Sequence, residues 1–270
     1  MPEADESRSA ERGVEDPDGP GDHAVAAAAV FGAAFPVAEK YAQLLAGPAV
    51  ELGVIGPAEA DRLWDRHLLN CAAIARLVPA RCSLADIGSG AGLPGIVLAL
   101  LRPGVRVTLV EAMARRVSFL ERCVAELGLD NVDVLRGRAE DLAGRLTVDV
   151  VTARAVAPLE KLAGLCVGLL RPGGRALAIK GASAGTELAR SRPVLARLGV
   201  SDARVVEVGS ADGAAAATVV VFTAAGRPGA QRRGAGVQRP GGYPGERVPG
   251  GQRRAGPPGR RSRPNNKRGG

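Results

Sequence analysis

Short apolar runs of the kind buried in parallel sheets alternate with helical patterns through the middle of this 270-residue chain. The predicted strands are rich in Val, Leu, Ile and Ala and span residues 84–88, 106–111, 132–135, 148–153, 175–180, 204–208 and 218–222. Helical patterns occupy residues 94–101, 113–127, 158–170 and 183–198. This alternation predicts right-handed βαβ units and an α/β fold with an open, mostly parallel seven-stranded sheet covered by helices on both sides.

A helical layer is predicted ahead of the sheet. Apolar and weakly polar residues recur there at three- and four-residue spacings that define one helical face: Leu63, His67, Cys71, Ile74 and Val78. We therefore expect residues 23–80 to form an N-terminal helical cap that packs against a main domain at residues 81–226.

The net charge of +8 is distributed unevenly along the chain. Residues 1–30 carry a net charge of −6, residues 31–226 carry +3, and residues 227–270 carry +11. The acidic head at residues 1–22 has few apolar side chains, and the basic tail at residues 227–270 holds 12 Gly and 7 Pro. Both ends are therefore predicted to be disordered, because they lack the apolar surface that offsets the entropy of ordering a chain.

Composition also bears on location and on metals. No uninterrupted run of about 18 apolar residues occurs, and the apolar stretch near the start follows acidic rather than basic residues, so neither a membrane span nor a signal peptide is predicted. The four cysteines are widely spaced without a C-x-x-C pair, which predicts no disulfide framework and no metal site. A reducing cytoplasm is expected.

The glycine-rich stretch LADIGSGAGLPG at residues 84–95 follows the first predicted strand and begins a helix. Ligands of open α/β sheets bind beyond the carboxyl ends of the strands, and the first strand-to-helix turn is a usual place for them. Glycines in such a turn allow the backbone to adopt positive φ and to approach a ligand closely. The stretch therefore predicts a ligand-binding loop.

Two ligands fit this loop. The spacing Gly90-x-Gly92-x-x-Gly95, with an acidic Glu111 about 20 residues later, matches the dinucleotide fingerprint of NAD-dependent oxidoreductases. The spacing Asp86-x-Gly88-x-Gly90-x-Gly92 matches the first motif of methyltransferases that use S-adenosylmethionine (AdoMet). An acid at the strand end suits the cationic methionine part of AdoMet and would repel a pyrophosphate, so AdoMet is favoured.

Further candidate contacts follow the later strands. Glu111 ends the second strand, where its carboxylate could accept the two ribose hydroxyls of either ligand, and Ala139 and Glu140 follow the third strand, where an adenine would lie. Arg154 closes the fourth strand and could clamp the AdoMet carboxylate or contact RNA, while Lys180 ends the fifth and could contact a phosphate. His67 lies on the apolar helical face, where a hydrogen-bonded core role competes with an RNA contact.

The chain resembles the bacterial 16S rRNA guanine-N7 methyltransferases known as RsmG or GidB. The resemblance covers roughly residues 40–222 and is carried by six blocks in the family's order: RLWDRHLLNC at 62–71, DIGSGAGLPG at 86–95, RRVSFL at 115–120, GRAE at 137–140, TARAVA at 152–157 and AIKG at 178–181. It implies a Rossmann-like class I methyltransferase fold and AdoMet contacts at Gly88, Leu93, Ala139, Glu140 and Arg154. The implied substrate is guanine 527 in the 530 loop of 16S rRNA, as naked rRNA or in the small ribosomal subunit.

Guanine N7 carries a lone pair and no proton, so the implied reaction needs no general base, and we expect no catalytic acid–base residue. A monomer is expected. Two alternatives remain open on the sequence: an NAD-dependent oxidoreductase that uses the same glycine loop, and a noncatalytic RNA-binding factor of ribosome assembly in which the basic tail binds RNA.

Overall fold

The computed structural model describes residues 20–209 and 216–225, so the disorder predicted for residues 1–19 and for the tail at 227–270 lies outside the described residues. Its helices are α1 (Pro20–Phe31), α2 (Phe35–Ala46), α3 (Pro48–Glu51), α4 (Asn70–Ala73), α5 (Gly95–Leu101), α6 (Ala114–Leu127), α7 (Ala139–Leu142), α8 (Leu159–Leu169) and α9 (Ala184–Arg197). Its strands are β1 (Cys82–Ile87), β2 (Val105–Glu111), β3 (Val132–Arg136), β4 (Val148–Arg154), β5 (Leu170–Lys180), β6 (Val200–Gly209) and β7 (Ala216–Ala224).

The seven strands form one sheet in the order β3-β2-β1-β4-β5-β7-β6. All pairings from β3 to β5 are parallel, and β7 runs antiparallel to both β5 and β6. The chain order reverses at β1, whose Asp86 lies opposite Leu109 of β2 and Thr152 of β4. The predicted mostly parallel seven-stranded α/β sheet is therefore confirmed, and its carboxyl edge offers the crevice at a topological switch point where ligands of such sheets bind.

Two apolar cores cover the two faces of the sheet. One contains α5, α6 and the N-terminal helices, with Tyr41, Leu68 and Ile74 packed in the same cluster as Leu84 and Leu109 of the sheet. The other contains α7, α8 and α9. The residues that precede β1 therefore share a core with the sheet.

The path of the N-terminal layer is less regular than the predicted single helix. Pro57–Arg62 is a 3₁₀ segment, Leu63–Leu69 has π-helical hydrogen bonds, and Ile74–Leu77 returns to 3₁₀ geometry. The predicted face nevertheless points inward, since Leu63, Cys71, Ile74 and Val78 are buried. Sequence periodicity identified the buried face but could not resolve local changes in helical pitch.

The first helices contain a segment that sequence reasoning had passed over. Residues 24–51 are long and apolar enough, by length and composition alone, to cross a membrane, although a core helix passes the same test. Gly32, with φ of +52°, and Gly47 interrupt the regular helix. Tyr41 and Leu45 of this segment are fully buried in the shared core, which is the environment of a packed helix.

The predicted elements differ from the observed ones mainly at their ends. Strand β5 begins at Leu170 rather than at residue 175, because the chain leaves α8 directly into the sheet. Helix α6 ends where predicted, at Gly128, whose φ of +65° caps the helix in the left-handed conformation.

Candidate functional site

The glycine loop is held from below by Asp86. This side chain is fully buried, and its Oδ2 accepts a hydrogen bond from the Gly95 amide at 3.1 Å while its Oδ1 accepts one from the Thr152 hydroxyl at 2.9 Å. Burial raises the pKa of Asp86 to about 7, although the bonds from Thr152 and Gly95 favour the ionised form. The sequence-based expectation that this carboxylate faces the cationic end of a ligand is corrected: Asp86 ties the loop to β4 from beneath.

Two glycines of the loop are required by close packing. A Cβ on Gly95 would lie 2.3 Å from Leu109 Cδ2 and 2.9 Å from Asp86 Oδ2, so only glycine lets α5 approach the sheet. Gly88 has φ of +65°, and a Cβ there would lie 2.9 Å from Val156 Cγ2. The turn after β4 that carries Val156 begins at Ala155, which itself adopts a left-handed φ of +54°. Strained non-glycine backbone of this kind concentrates at functional sites.

The N-terminal layer also supports the loop. The buried Tyr41 hydroxyl of α2 donates a hydrogen bond to the Ala91 carbonyl at 2.8 Å. Sequence reasoning missed Tyr41 and Thr152, because each reaches the loop from an element distant in the chain.

Glu111 closes the other side of the loop. Its Oε2 accepts a hydrogen bond from the Gly90 amide at 3.0 Å, and its Oε1 accepts one from the Met113 amide at 2.9 Å. Arg116 NH1 lies 3.7 Å from Oε2. Each carboxylate oxygen has two acceptor positions, so Glu111 retains capacity for a ligand hydroxyl.

A cavity of about 230 Å³ opens at the carboxyl ends of the strands beside Glu111. Its apolar lining includes Val110, Ala112 and Leu165. Four of the predicted cofactor residues also line it: Gly88, Glu111, Ala139 and Glu140. Apolar walls for a base and a carboxylate for a ribose diol form a suitable environment for a nucleoside. We name it the donor cavity.

The remaining predicted cofactor residues are not in the lining of the donor cavity. Gly90, Gly92 and Leu93 belong to the adjoining loop, and Asp86 lies beneath it. Arg154 is turned toward the N-terminal layer instead. Its NH2 lies 2.5 Å from His67 Nδ1, and its NH1 donates to the Arg66 carbonyl at 3.3 Å.

His67 connects Arg154 to Glu59. Because Arg154 can only donate, Nδ1 of His67 accepts, and its Nε2–H donates to Glu59 Oε2 at 2.7 Å. Burial and the neighbouring Arg154 lower the pKa of His67, which favours this neutral tautomer. The predicted competition at His67 thus meets a half-buried, doubly bonded imidazole, and Glu59 is a partner that sequence reasoning did not find.

Lys180 lines a second cavity of about 500 Å³, between the turn after β4 and the start of α9. Its Nζ donates to Glu187 Oε1 and to the Ala157 carbonyl, both at 2.9 Å. Val156 and Ala157 line this cavity and the donor cavity alike. Lys180 therefore holds the segment that the two cavities share, and Glu187 is a further residue absent from the sequence-based predictions.

The cysteines are not suited to nucleophilic chemistry. All four are free thiols. Burial raises the pKa of Cys71, Cys123 and Cys166 to about 12 and that of Cys82 to about 11. They are therefore protonated at neutral pH. Among residues 20–209 and 216–225, no cluster of three His, Cys, Asp or Glu side chains is arranged to hold a metal ion.

Comparison with known proteins identifies the family. A family model described as "GidB: rRNA small subunit methyltransferase G" matches residues 35–214. The chain belongs to this family. A protein of Thermobifida fusca (strain YX) named "Ribosomal RNA small subunit methyltransferase G" is 52% identical over 198 residues, which cover 73% of this chain and 84% of that protein.

Two further relatives carry the same name. The protein of Nocardioides sp. (strain ATCC BAA-499 / JS614) is 50% identical over 214 residues, covering 77% of this chain and 85% of that protein. That of Mycobacterium sp. (strain JLS) is 53% identical over 214 residues, covering 76% and 95% respectively. Family membership confirms the resemblance and decides between the two ligands of the glycine loop: this chain is an AdoMet-dependent methyltransferase of small-subunit ribosomal RNA.

Proposed function

We propose that this chain transfers the methyl group of AdoMet to N7 of guanine 527, in the 530 loop of 16S rRNA. Family membership across residues 35–214 carries the reaction class. The six sequence blocks that resemble the guanine-N7 methyltransferases support the position. The donor cavity beside the glycine loop supports the use of a nucleoside-containing donor.

The donor cavity fits the adenosine part of AdoMet. Its volume of about 230 Å³ is smaller than the roughly 300–1,000 Å³ of sites that enclose a whole small molecule, so part of the donor lies outside it. Glu111 accepts the ribose hydroxyls, Ala139 and Glu140 flank the base, and Gly88 allows close approach. Gly90, Gly92 and Leu93 shape the loop that the methionine part follows, and Asp86 holds this loop in place.

AdoMet supplies an electrophilic methyl group on its sulfonium. Because guanine N7 has an in-plane lone pair and no proton, no protein side chain has to remove a proton before methyl transfer. The protein contributes alignment of the two reactants, an effect that can lower a barrier by up to about 7–11 kcal/mol. No catalytic acid or base is assigned, in keeping with the high pKa of the thiols and the neutral state of His67.

The RNA must present N7 in an accessible form. The major groove of A-form RNA is deep and narrow and does not admit side chains, so a paired guanine would be hidden. A loop guanine or an extruded one is accessible. Arg154, held by His67, contacts the RNA or the donor carboxylate from the end of β4, and Lys180 borders the adjoining cavity.

The partner is 16S rRNA or the small ribosomal subunit, and the protein acts as a cytoplasmic monomer. The basic tail at residues 227–270 adds contacts to RNA phosphates without reading sequence, because base readout requires positioned side chains.

Mapping of N7-methylguanine in 16S rRNA tests this function. Small subunits from cells without the gene should lack the modification at position 527, and addition of the protein with AdoMet should restore it. As a matched control, subunits that carry 7-deazaguanine at that position should not be methylated, since the nucleophilic nitrogen is gone. Methylation at another guanine, or RNA binding without methyl transfer, would contradict the proposal.

A further inference from the structure

The cavity of about 500 Å³ beside the donor cavity has the size and position of an acceptor site. Its volume lies within the usual range for a bound small molecule. It lies at the carboxyl edge of the sheet, where Arg154 of β4 pairs with Ile179 of β5, the residue before Lys180. Since Val156 and Ala157 are common to both linings, a group bound here lies next to the donor.

The cavity presents a nearly buried ion pair. The side chains of Lys180 and Glu187 are 13% and 14% exposed, and their Nζ and Oε1 atoms are 2.9 Å apart. Oε1 of Glu187 also accepts a hydrogen bond from the Leu159 amide at 2.5 Å. Within the part of the chain that the structure describes, the other oxygen, Oε2, makes no hydrogen bond.

Glu187 is held in its charged form. Burial alone would raise its pKa, but the hydrogen bonds from Lys180 and Leu159 outweigh burial and lower the pKa below its ordinary value. A carboxylate fixed at one oxygen and open at the other is a preorganised hydrogen-bond acceptor on the cavity wall.

We propose that this cavity receives the acceptor guanine and that Glu187 recognises the adjacent N1–H and N2 amino donors of its Watson–Crick edge. This inference rests on the proposed function. Adenine presents an acceptor at N1 and would be repelled by the carboxylate. Recognition of the Watson–Crick edge leaves N7 unobstructed for methyl transfer. It also requires that the base be unpaired, as expected for a loop guanine or an extruded one.

Inosine, which lacks the N2 amino group of guanine, tests this recognition. Small subunits are reconstituted on 16S rRNA carrying guanine or inosine at the target, and kcat/KM is measured for the unaltered protein and for Glu187→Gln. A hydrogen bond to a charged group predicts that inosine lowers kcat/KM of the unaltered protein by roughly 10- to 100-fold. In Glu187→Gln, guanine and inosine should differ by less than about threefold, since the charged acceptor is gone.

The matched control is Glu126→Gln, which makes the same chemical change at an exposed ion pair with Arg122 on α6. It should keep the guanine-to-inosine ratio of the unaltered protein. AdoMet affinity, measured by calorimetry, checks that each variant is folded, and the comparison of the two bases with the unaltered protein needs no variant at all.

Three outcomes would count against the inference. If inosine and guanine react equally with the unaltered protein, the amino group is not recognised. An unchanged ratio in Glu187→Gln, with a normal guanine rate for the unaltered protein, would show that Glu187 only anchors the turn after β4. Failure of the unaltered protein to methylate N7 of guanine would overturn the proposed function and this inference together.

Discussion

Replacement of Asp86 by asparagine should remove a pH-dependent cost to stability. Burial raises the pKa of this carboxyl from its ordinary value of 3.8 to about 7, so the folded protein binds a proton that the unfolded chain releases. The free energy of unfolding should therefore fall by about 1.4 kcal/mol per pH unit between roughly pH 4 and 7 and then level off. From pH 5 to pH 8 the loss amounts to about 3 kcal/mol.

Asparagine has nearly the same shape and can keep both internal contacts, with its amide oxygen accepting from Gly95 and its amide nitrogen donating to Thr152. The stability of Asp86→Asn relative to the unaltered protein should therefore rise by about 3 kcal/mol between pH 5 and pH 8. The measurement is urea unfolding of both proteins, without ligand, at half-unit pH steps.

Asp149→Asn is the control for this experiment. Despite partial burial, hydrogen bonds from Ser83 and Arg171 lower the pKa of Asp149, so its contribution is lost only under more acidic conditions. Its difference from the unaltered protein should be constant from pH 5 to pH 8. A constant difference for Asp86→Asn as well would refute the reasoning, because it would mean that Asp86 is ionised throughout or accessible to solvent.

Three further predictions concern the donor, the RNA and the tail. Gly88→Val should abolish AdoMet binding in calorimetry while the domain stays folded, because even a Cβ at this position approaches Val156 to 2.9 Å and φ is +65°; unchanged affinity would contradict the assigned role. Arg154→Ala should lower rRNA methylation by roughly 10- to 100-fold and stability by about 1–2 kcal/mol, as its bonds to His67 and Arg66 are lost, and near-normal methylation at limiting RNA would make it a structural arginine. Deletion of residues 227–270, which carry net +11, should leave AdoMet affinity and the methylated guanine unchanged but flatten the salt dependence of rRNA binding by roughly 0.7–0.9 in log–log slope per lost phosphate contact; parallel salt plots would show that the tail does not touch phosphates.

Local patterns in the sequence were sufficient for the architecture and the reaction class. Strands buried on both faces of a parallel sheet appear as short apolar runs, and helices appear through their three- and four-residue spacing. The glycine loop at residues 84–95 identified the ligand-binding turn because its spacing reflects backbone requirements, such as the positive φ of Gly88, that only glycine meets easily. Glu111, Ala139 and Glu140 were found because strand ends in this fold meet at one edge.

Only the tertiary structure decided what each polar side chain near the site does. Asp86 occupies a motif position that suggests ligand contact, but its pairing across the sheet with Thr152, 66 residues later, places its carboxylate beneath the loop. Arg154 and His67 lie 87 residues apart and meet because the N-terminal layer packs over the end of β4. The Lys180–Glu187 pair was invisible to motif reasoning because Glu187 acts through the cavity that it lines. Backbone conformation is encoded by neighbouring residues, whereas hydrogen-bond partners and burial depend on contacts between distant segments, and these exist only after the chain has folded.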